Sequence, residues 1–261
     1  MKIENKVFLL GWNDAEMDHI KTMFDKNSVP YIDKKLWRWA KVQDYADDIQ
    51  QLLADNKQPV AIELEWAWEW EFSNVLSVDH HWLRSHEKAS IMQILEILSV
   101  DPTLEDELIA ANDSWYIPAM ISLLVSKWIT KPNEQQDYVN RVRFLDRKAQ
   151  WITSEQEDQA KIAIANKEVL LNWVLTVVNL PHSKTATVSD TLFGNYKNLL
   201  ILSGDGEVNF YGDWLLCKQL WDQFPWWRNG GSWLWNKGEN AFWWWYPDHN
   251  VVRDYISKFE Y

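Results

Sequence analysis

Two hydrophobic periods alternate along the first half of the chain. Residues 7–11 form a short apolar run, followed by Met17, Ile20, Met23 and Phe24 at helical spacing, which predicts a strand and then a helix over 16–25. Tyr31 and Ile32 follow Pro30 as a weak second strand, and Tyr45, Ile49, Leu52 and Leu53 mark a helix over 43–53. Residues 60–64 and 75–78 complete a set of four strands. Strands alternating with helices predict an α/β fold with a parallel sheet and flanking helices.

Beyond residue 81 the periodicity becomes helical. Helices are predicted over 90–100, from Leu104 onward after Asp101-Pro102-Thr103, over 118–128, over 137–145 and over 155–175. Thr153 with Gln156 has the spacing of a helix-capping pair. Pro181 to Lys184 and the threonines after them suggest a connection. Strands at 199–202, 207–211 and 241–246 then alternate with helices at 214–224 and 251–259. The expected organisation is an α/β domain with a helical extension over 1–180, followed by a smaller α+β unit over 181–261.

The chemistry lies where the strands end. In an open α/β sheet, ligands bind beyond the carboxyl ends of the strands. Asn13, Asp14 and Glu16 follow the first strand, Glu63 and Glu65 the third, and Asp79-His80-His81 the fourth. Asn112 and Asp113 close the helix that begins at Leu104. Carboxylates that converge repel one another unless cations lie between them. Asp oxygen and neutral His nitrogen suit Mn, Fe or Zn. The plainer alternative for the triplet is a helix-capping Asp followed by two surface histidines.

These motifs resemble the DHH phosphoesterase superfamily, which includes exonucleases, oligoribonucleases, cyclic-dinucleotide phosphodiesterases and pyrophosphatases. Asp79-His80-His81 matches the family's D-H-H, and Asp14-Ala15-Glu16 resembles its D-x-D with Glu in the second position. Glu63 or Glu65 stands where a further acid is expected, and Asp113 where the last Asp is expected. The resemblance spans residues 6–120. It implies a metal-dependent hydrolase of a small phosphate ester, nucleotide or pyrophosphate, with one or two divalent ions such as Mn. Asp14, Glu16, Glu63, Glu65, Asp79, His81 and Asp113 become the candidate ligands, and His80 with Asp79 the candidate catalytic pair. Arg84 is a candidate phosphate contact and Asn209 a candidate substrate residue. Gly230 and Gly231 stand in for the family's Gly-rich C-terminal motif. Cys217, on an apolar helix face without a local His partner, is expected in the core.

Composition changes this picture in three ways. A net charge of −12 argues against wrapping long nucleic acid, though not against a small phosphate held through a metal. The single cysteine and the lack of an 18-residue apolar run suit a cytoplasmic protein with no membrane partner. The chain also has 20 Trp against 8 Gly, with no Gly between residues 12 and 193. Trp12, Trp82, Trp115, Trp214, Trp233 and Trp235 stand where turns favour Gly. UGA codons read as Gly in the source organism explain both the excess and the gap. The other explanation is abundant Trp used for stacking, as in an aromatic-rich carbohydrate-binding protein. A non-catalytic metal- or nucleotide-binding protein on the same scaffold is the remaining alternative.

Overall fold

The computed structural model describes residues 4–36, 40–66, 73–81, 84, 86–172, 174–224, 229–230 and 240–259. Its contacts divide the chain into two units, Met1–Gln150 and Trp151–Tyr261.

In the first unit β1 (Lys6–Leu10), α1 (Ala15–Asn27), β2 (Tyr31–Ile32), α2 (Ala46–Ala54), β3 (Gln58–Ile62) and β4 (Leu76–Val78) alternate in chain order. The strands form one parallel sheet in the order β2-β1-β3-β4. Successive strand residues face opposite sides, so Phe8 meets Phe24 of α1 with ring centroids 4.5 Å apart. Leu9 and Ala61 join Val42, Tyr45 and Ile49 on the α2 side. The Tyr45 hydroxyl donates to the Leu10 carbonyl at 2.7 Å and so ties down the end of β1. Burial of that hydroxyl pushes its pKa up to about 12.

Three helices complete this unit: α3 (Ser90–Leu98), α4 (Leu104–Ser126) and α5 (Pro132–Ala149). Thr103 and Asp106 cap α4 reciprocally. The two helices expected over 104–128 form one element with a break inside it. Trp115 (φ −146°, ψ 20°) and Tyr116 (φ 61°, ψ −154°) leave helical geometry just before Pro118, which cannot supply a helical N–H. α4 is long and apolar enough by composition to cross a membrane. Here it packs against α1, α3 and α5. His19 Nε2 of α1 lies 2.7 Å from Asp106 Oδ1 at the start of α4.

The second unit starts earlier than residue 181. The helix expected over 155–175 stops with α6 (Ser154–Ala165), capped by Thr153 and Gln156. The β-branched and apolar residues beyond it become β5 (Glu168–Leu170) and β6 (Leu175–Leu180). After α7 (Ala186–Leu192) come β7 (Asn198–Ser203), β8 (Val208–Asp213), α8 (Trp214–Gln223), β9 (Asn229–Gly230), β10 (Asn240–Trp245) and α9 (His249–Ser257). The strands make a six-stranded mixed sheet in the order β5-β6-β7-β8-β10-β9, with only β6 and β7 parallel. Leu199 and Ile201 face α6 and α7. Leu200 and Leu202 face a core that holds Cys217, Leu220, Val252 and Ile256. Burial raises the Cys217 thiol pKa well above its ordinary value, which fits a core residue. Trp243 is fully buried in that same core, so it presents no face for stacking a sugar.

Candidate metal centre

Three backbone features bring the strand ends together. Gly11 follows β1, and a Cβ there would lie 2.4 Å from the Glu63 carbonyl oxygen and 2.6 Å from that of Ile62. Only glycine permits this approach of the β1 turn to the end of β3. Glu63 itself adopts φ 50°, a left-handed conformation costly for a residue with a Cβ. Its N–H donates to the Val78 carbonyl at 2.9 Å, which keeps it beside β4 as both strands end.

Each side chain is then fixed from a different element. Asp14 caps α1 by accepting the Met17 N–H at 2.9 Å. Glu16, on the first turn of α1, accepts the Ile91 N–H of α3 at 2.9 Å through Oε1, which leaves Oε2 turned inward. Asp79 Oδ1 accepts the His81 N–H at 2.9 Å and contacts His81 Nδ1 at the same distance. Gln93 of α3 donates to the Asp79 carbonyl at 2.9 Å. The turn after β4 is thus pinned by its own Asp and by α3, and His80 points into the unit.

Glu16, Glu63, His80 and Asp113 meet there, each contributing one ligand-type atom within 4.8 Å of the others. His80 Nε2 is 2.5 Å from Asp113 Oδ2 and 3.6 Å from both Glu16 Oε2 and Glu63 Oε1. All four atoms are buried and none makes a hydrogen bond. Glu63, His80 and His81 form a second, overlapping group. Buried polar atoms without partners are costly in a folded protein. Three carboxylates and an imidazole aimed at one point are the donor set of a divalent metal site. These residues can therefore hold a metal ion.

The electrostatics agree. Burial, together with the charges of Glu63 and Asp113, raises the Asp14 pKa well above the usual carboxylate range. Burial and the same two kinds of neighbour, Asp113 and Glu63, do the same to Glu16. Burial also works against ionised Glu63, but contacts with His80 and Glu16 overcome it and hold its pKa at about 2. Burial opposes a charged His80 ring, and the surrounding Asp113, Glu16 and Glu63 outweigh it, so its pKa is raised. Protons and an imidazolium balance charge that a cation is able to balance instead.

The expected residues divide accordingly. Glu16, Glu63, His80, His81 and Asp113 come together, with the half-buried Asp14 close enough to feel the charges of Glu63 and Asp113. Asp79 orients His81 and lies in neither group. Glu65 also lies in neither group; its backbone bridges to the strand-like segment at Lys41. The Arg84 guanidinium is taken up by Glu87 and by Ser77, which makes it a brace for the turn. Asn209 donates to Glu207 within the second unit, and Gly230 pairs with Phe242. Gly231, Trp82, Trp233 and Trp235 lie outside the described residues.

Arg143 was not visible as a site residue. It is buried on α5, donating to Asn112 Oδ1 at 2.9 Å and pairing with Asp146 Oδ2 at 2.9 Å. The available signal was helical spacing: Val139, Val142, Arg143, Asp146 and Ala149 share the buried stripe of α5.

No protein-family model and no curated protein matches the sequence. Among solved structures the chain is similar to an exopolyphosphatase-related protein from Bacteroides fragilis, with 10% identity and a TM-score of 0.49. That similarity covers 97% of this chain and 91% of the other. It is also similar to an uncharacterized protein from Helicobacter pylori G27, with 11% identity, a TM-score of 0.34, and coverage of 97% and 98%.

Proposed function

We propose that this chain is a divalent-metal-dependent hydrolase of a small phosphate ester, nucleotide or pyrophosphate, a distant relative of the DHH phosphoesterases. The observation that carries the proposal is the meeting of Glu16, Glu63, His80 and Asp113 through buried atoms that make no hydrogen bond, at the carboxyl ends of parallel strands. Those four residues would hold the ion, Mn being the first candidate. Glu63 and His81 offer part of a second position. A bound divalent cation supplies Lewis acidity and a coordinated water of lowered pKa. The protein's part is to fix the donors: Ile91 orients Glu16, and Asp79 orients His81. The one cysteine, free and buried, suits a cytoplasmic setting.

The test uses protein stripped with chelator, then titrated with Mn and assayed on a phosphodiester, a phosphomonoester and pyrophosphate. The expected result is tight Mn binding and Mn-dependent release of phosphate, both lost in His80→Ala. Failure to bind any divalent ion overturns the proposal. Binding without turnover of any substrate selects the non-catalytic alternative.

A further inference from the structure

We infer that Arg143 is the positioning residue that sets Asp113, an inference that rests on the metal reading above. Asp113 is the one member of the cluster that comes from α4, and it lies two residues before the helix breaks. Tyr116 there holds a backbone conformation usually left to glycine, so something must fix the break. Arg143 reaches it from α5 at two points. Its guanidinium donates to Asn112, the neighbour of Asp113, and lies 4.7 Å from the centre of the Tyr116 ring. Asp146 holds the same nitrogen, Nη1, at 2.9 Å. A guanidinium can bond an amide and a carboxylate while its plane rests against a ring, and an ammonium has no plane to stack.

The experiment is a binding cycle with Mn on Arg143→Ala, Arg143→Lys, Asp113→Asn and the double variant Arg143→Ala/Asp113→Asn. Arg143→Ala is expected to weaken Mn binding at least tenfold, Arg143→Lys to recover little of it, and the double variant to bind as Asp113→Asn does. An equal loss from Arg143→Ala with and without Asp113 makes the role merely structural and overturns the inference. If Arg143→Ala does not fold, Asn112→Ala serves in the same cycle with the same expectation. Absence of Mn binding in the unsubstituted protein defeats the metal reading instead, which keeps the two failures apart.

A different observation independently supports a second inference: we propose that Trp128 and Trp151 are glycines in the protein as its source organism makes it. Both follow helix ends, two residues beyond Ser126 of α4 and Ala149 of α5, with φ of 65° and 53°. After α4, Trp128 N–H bonds the Val125 carbonyl and Ile129 N–H bonds that of Leu124, the paired bonds of a helix end built on a left-handed residue. Glycine is the usual occupant there because a Cβ is strained. The Trp128 indole does not compensate by packing, for it is 90% exposed. α1 and α3 also end in left-handed residues, Ser28 and Ser99, and a chain so turned has no glycine from 12 to 193. Codons UGA translated as Gly account for the excess of one residue and the gap in the other. Trp12, Trp115 and Trp214 do not have positive φ, so the backbone argument stands on Trp128 and Trp151.

Codons 128 and 151 are expected to be UGA, and the mass of the protein from source cells to be lower than that of the Trp form. In recombinant protein, Trp128→Gly and Trp151→Gly are each expected to raise the melting temperature. UGG at both positions, or a melting temperature lowered by both substitutions, overturns the proposal.

Discussion

His80 Nε2 lies 2.5 Å from Asp113 Oδ2, yet the two atoms are not aligned for a hydrogen bond. One residue follows β4 and the other sits within α4, so the contact is a product of the fold rather than of local sequence. Both atoms also face Glu16 Oε2 and Glu63 Oε1, which suits ligands gathered around a common ion. Asp113→Asn and His80→Ala are expected to weaken Mn binding by about 100-fold or more, beyond the roughly 10–100-fold that outer groups command. Asp79→Asn should fall within that lesser range, since Asp79 orients His81. Glu65→Gln should bind as the unsubstituted chain does. Equilibrium titration with Mn, followed by electron paramagnetic resonance, ranks the four. Asp79→Asn as damaging as Asp113→Asn would return Asp79 to the ligand set.

The pH dependence of stability follows from the same groups. Asp14 and Glu16 have raised pKa values in the folded chain. The folded state therefore keeps protons that the unfolded state releases, and stability falls as pH rises above the ordinary carboxylate range. His80, also raised, contributes stability present below its unfolded pKa and lost as pH rises. Glu63, at about 2, acts oppositely, but only as pH falls below the ordinary carboxylate value. A divalent ion replaces those protons, so its binding strengthens with pH. At a free concentration a hundredfold above Kd it adds about 2.7 kcal/mol. Melting temperatures from about pH 5 to about pH 8, in chelator and in excess Mn, are expected to diverge as pH rises. A constant gap would show that no protons leave.

Much of the first unit was legible because the strands are short, apolar and separated by strong helical periods. Asp14, Glu16, Glu63, His80 and His81 were legible as neighbours for a related reason: polar residues just after buried strands gather at one edge. Asp113, inside α4, follows no strand, and it was the family resemblance that pointed to it. What the sequence hid was direction. Asp79 and His80 are neighbours, and only the turn geometry shows that His80 enters the cluster while Asp79 bonds its own chain. Arg143 was hidden because a charged residue on a helix is ordinarily solvated. The end of α6 was hidden because residues 166–175 mix apolar residues at spacings that fit a helix as well as a hairpin.

Gly11 offers a test of the turn that brings β1 to β3. A methyl group at position 11 meets two carbonyl oxygens at 2.4 and 2.6 Å, and both belong to the backbone, so no side chain can swing aside. Gly11→Ala is expected to cost about 1–3 kcal/mol, the range for overpacking a tight interior. It should also weaken Mn binding, because the displaced backbone carries Glu63. Denaturant unfolding in chelator, set beside Mn titration, measures both losses. A variant with unchanged stability would mean that the two strand ends do not approach so closely.

Glu63 separates stability from function. Its left-handed backbone carries a strain of about 1–2 kcal/mol that glycine does not feel. Burial, together with the Glu63 charge, raises the pKa of Asp14 and Glu16, while contacts with His80 and Glu16 hold Glu63 itself ionised. Glu63→Gly relieves the strain and that repulsion, and gives up the contacts with His80 and the side chain's packing. In chelator the variant is expected to melt close to the temperature of the unsubstituted chain. In excess Mn it should melt well below, because the unsubstituted chain gains stability from the ion and the variant does not. Glu63→Gln keeps the strain and loses the charge, so it should gain little from Mn without the backbone relief that glycine brings. Thermal unfolding of the three proteins with and without Mn makes the comparison. A Glu63→Gly variant that melts well below the others in chelator would show that Glu63 supports the fold, and that its strained backbone is not maintained for a metal.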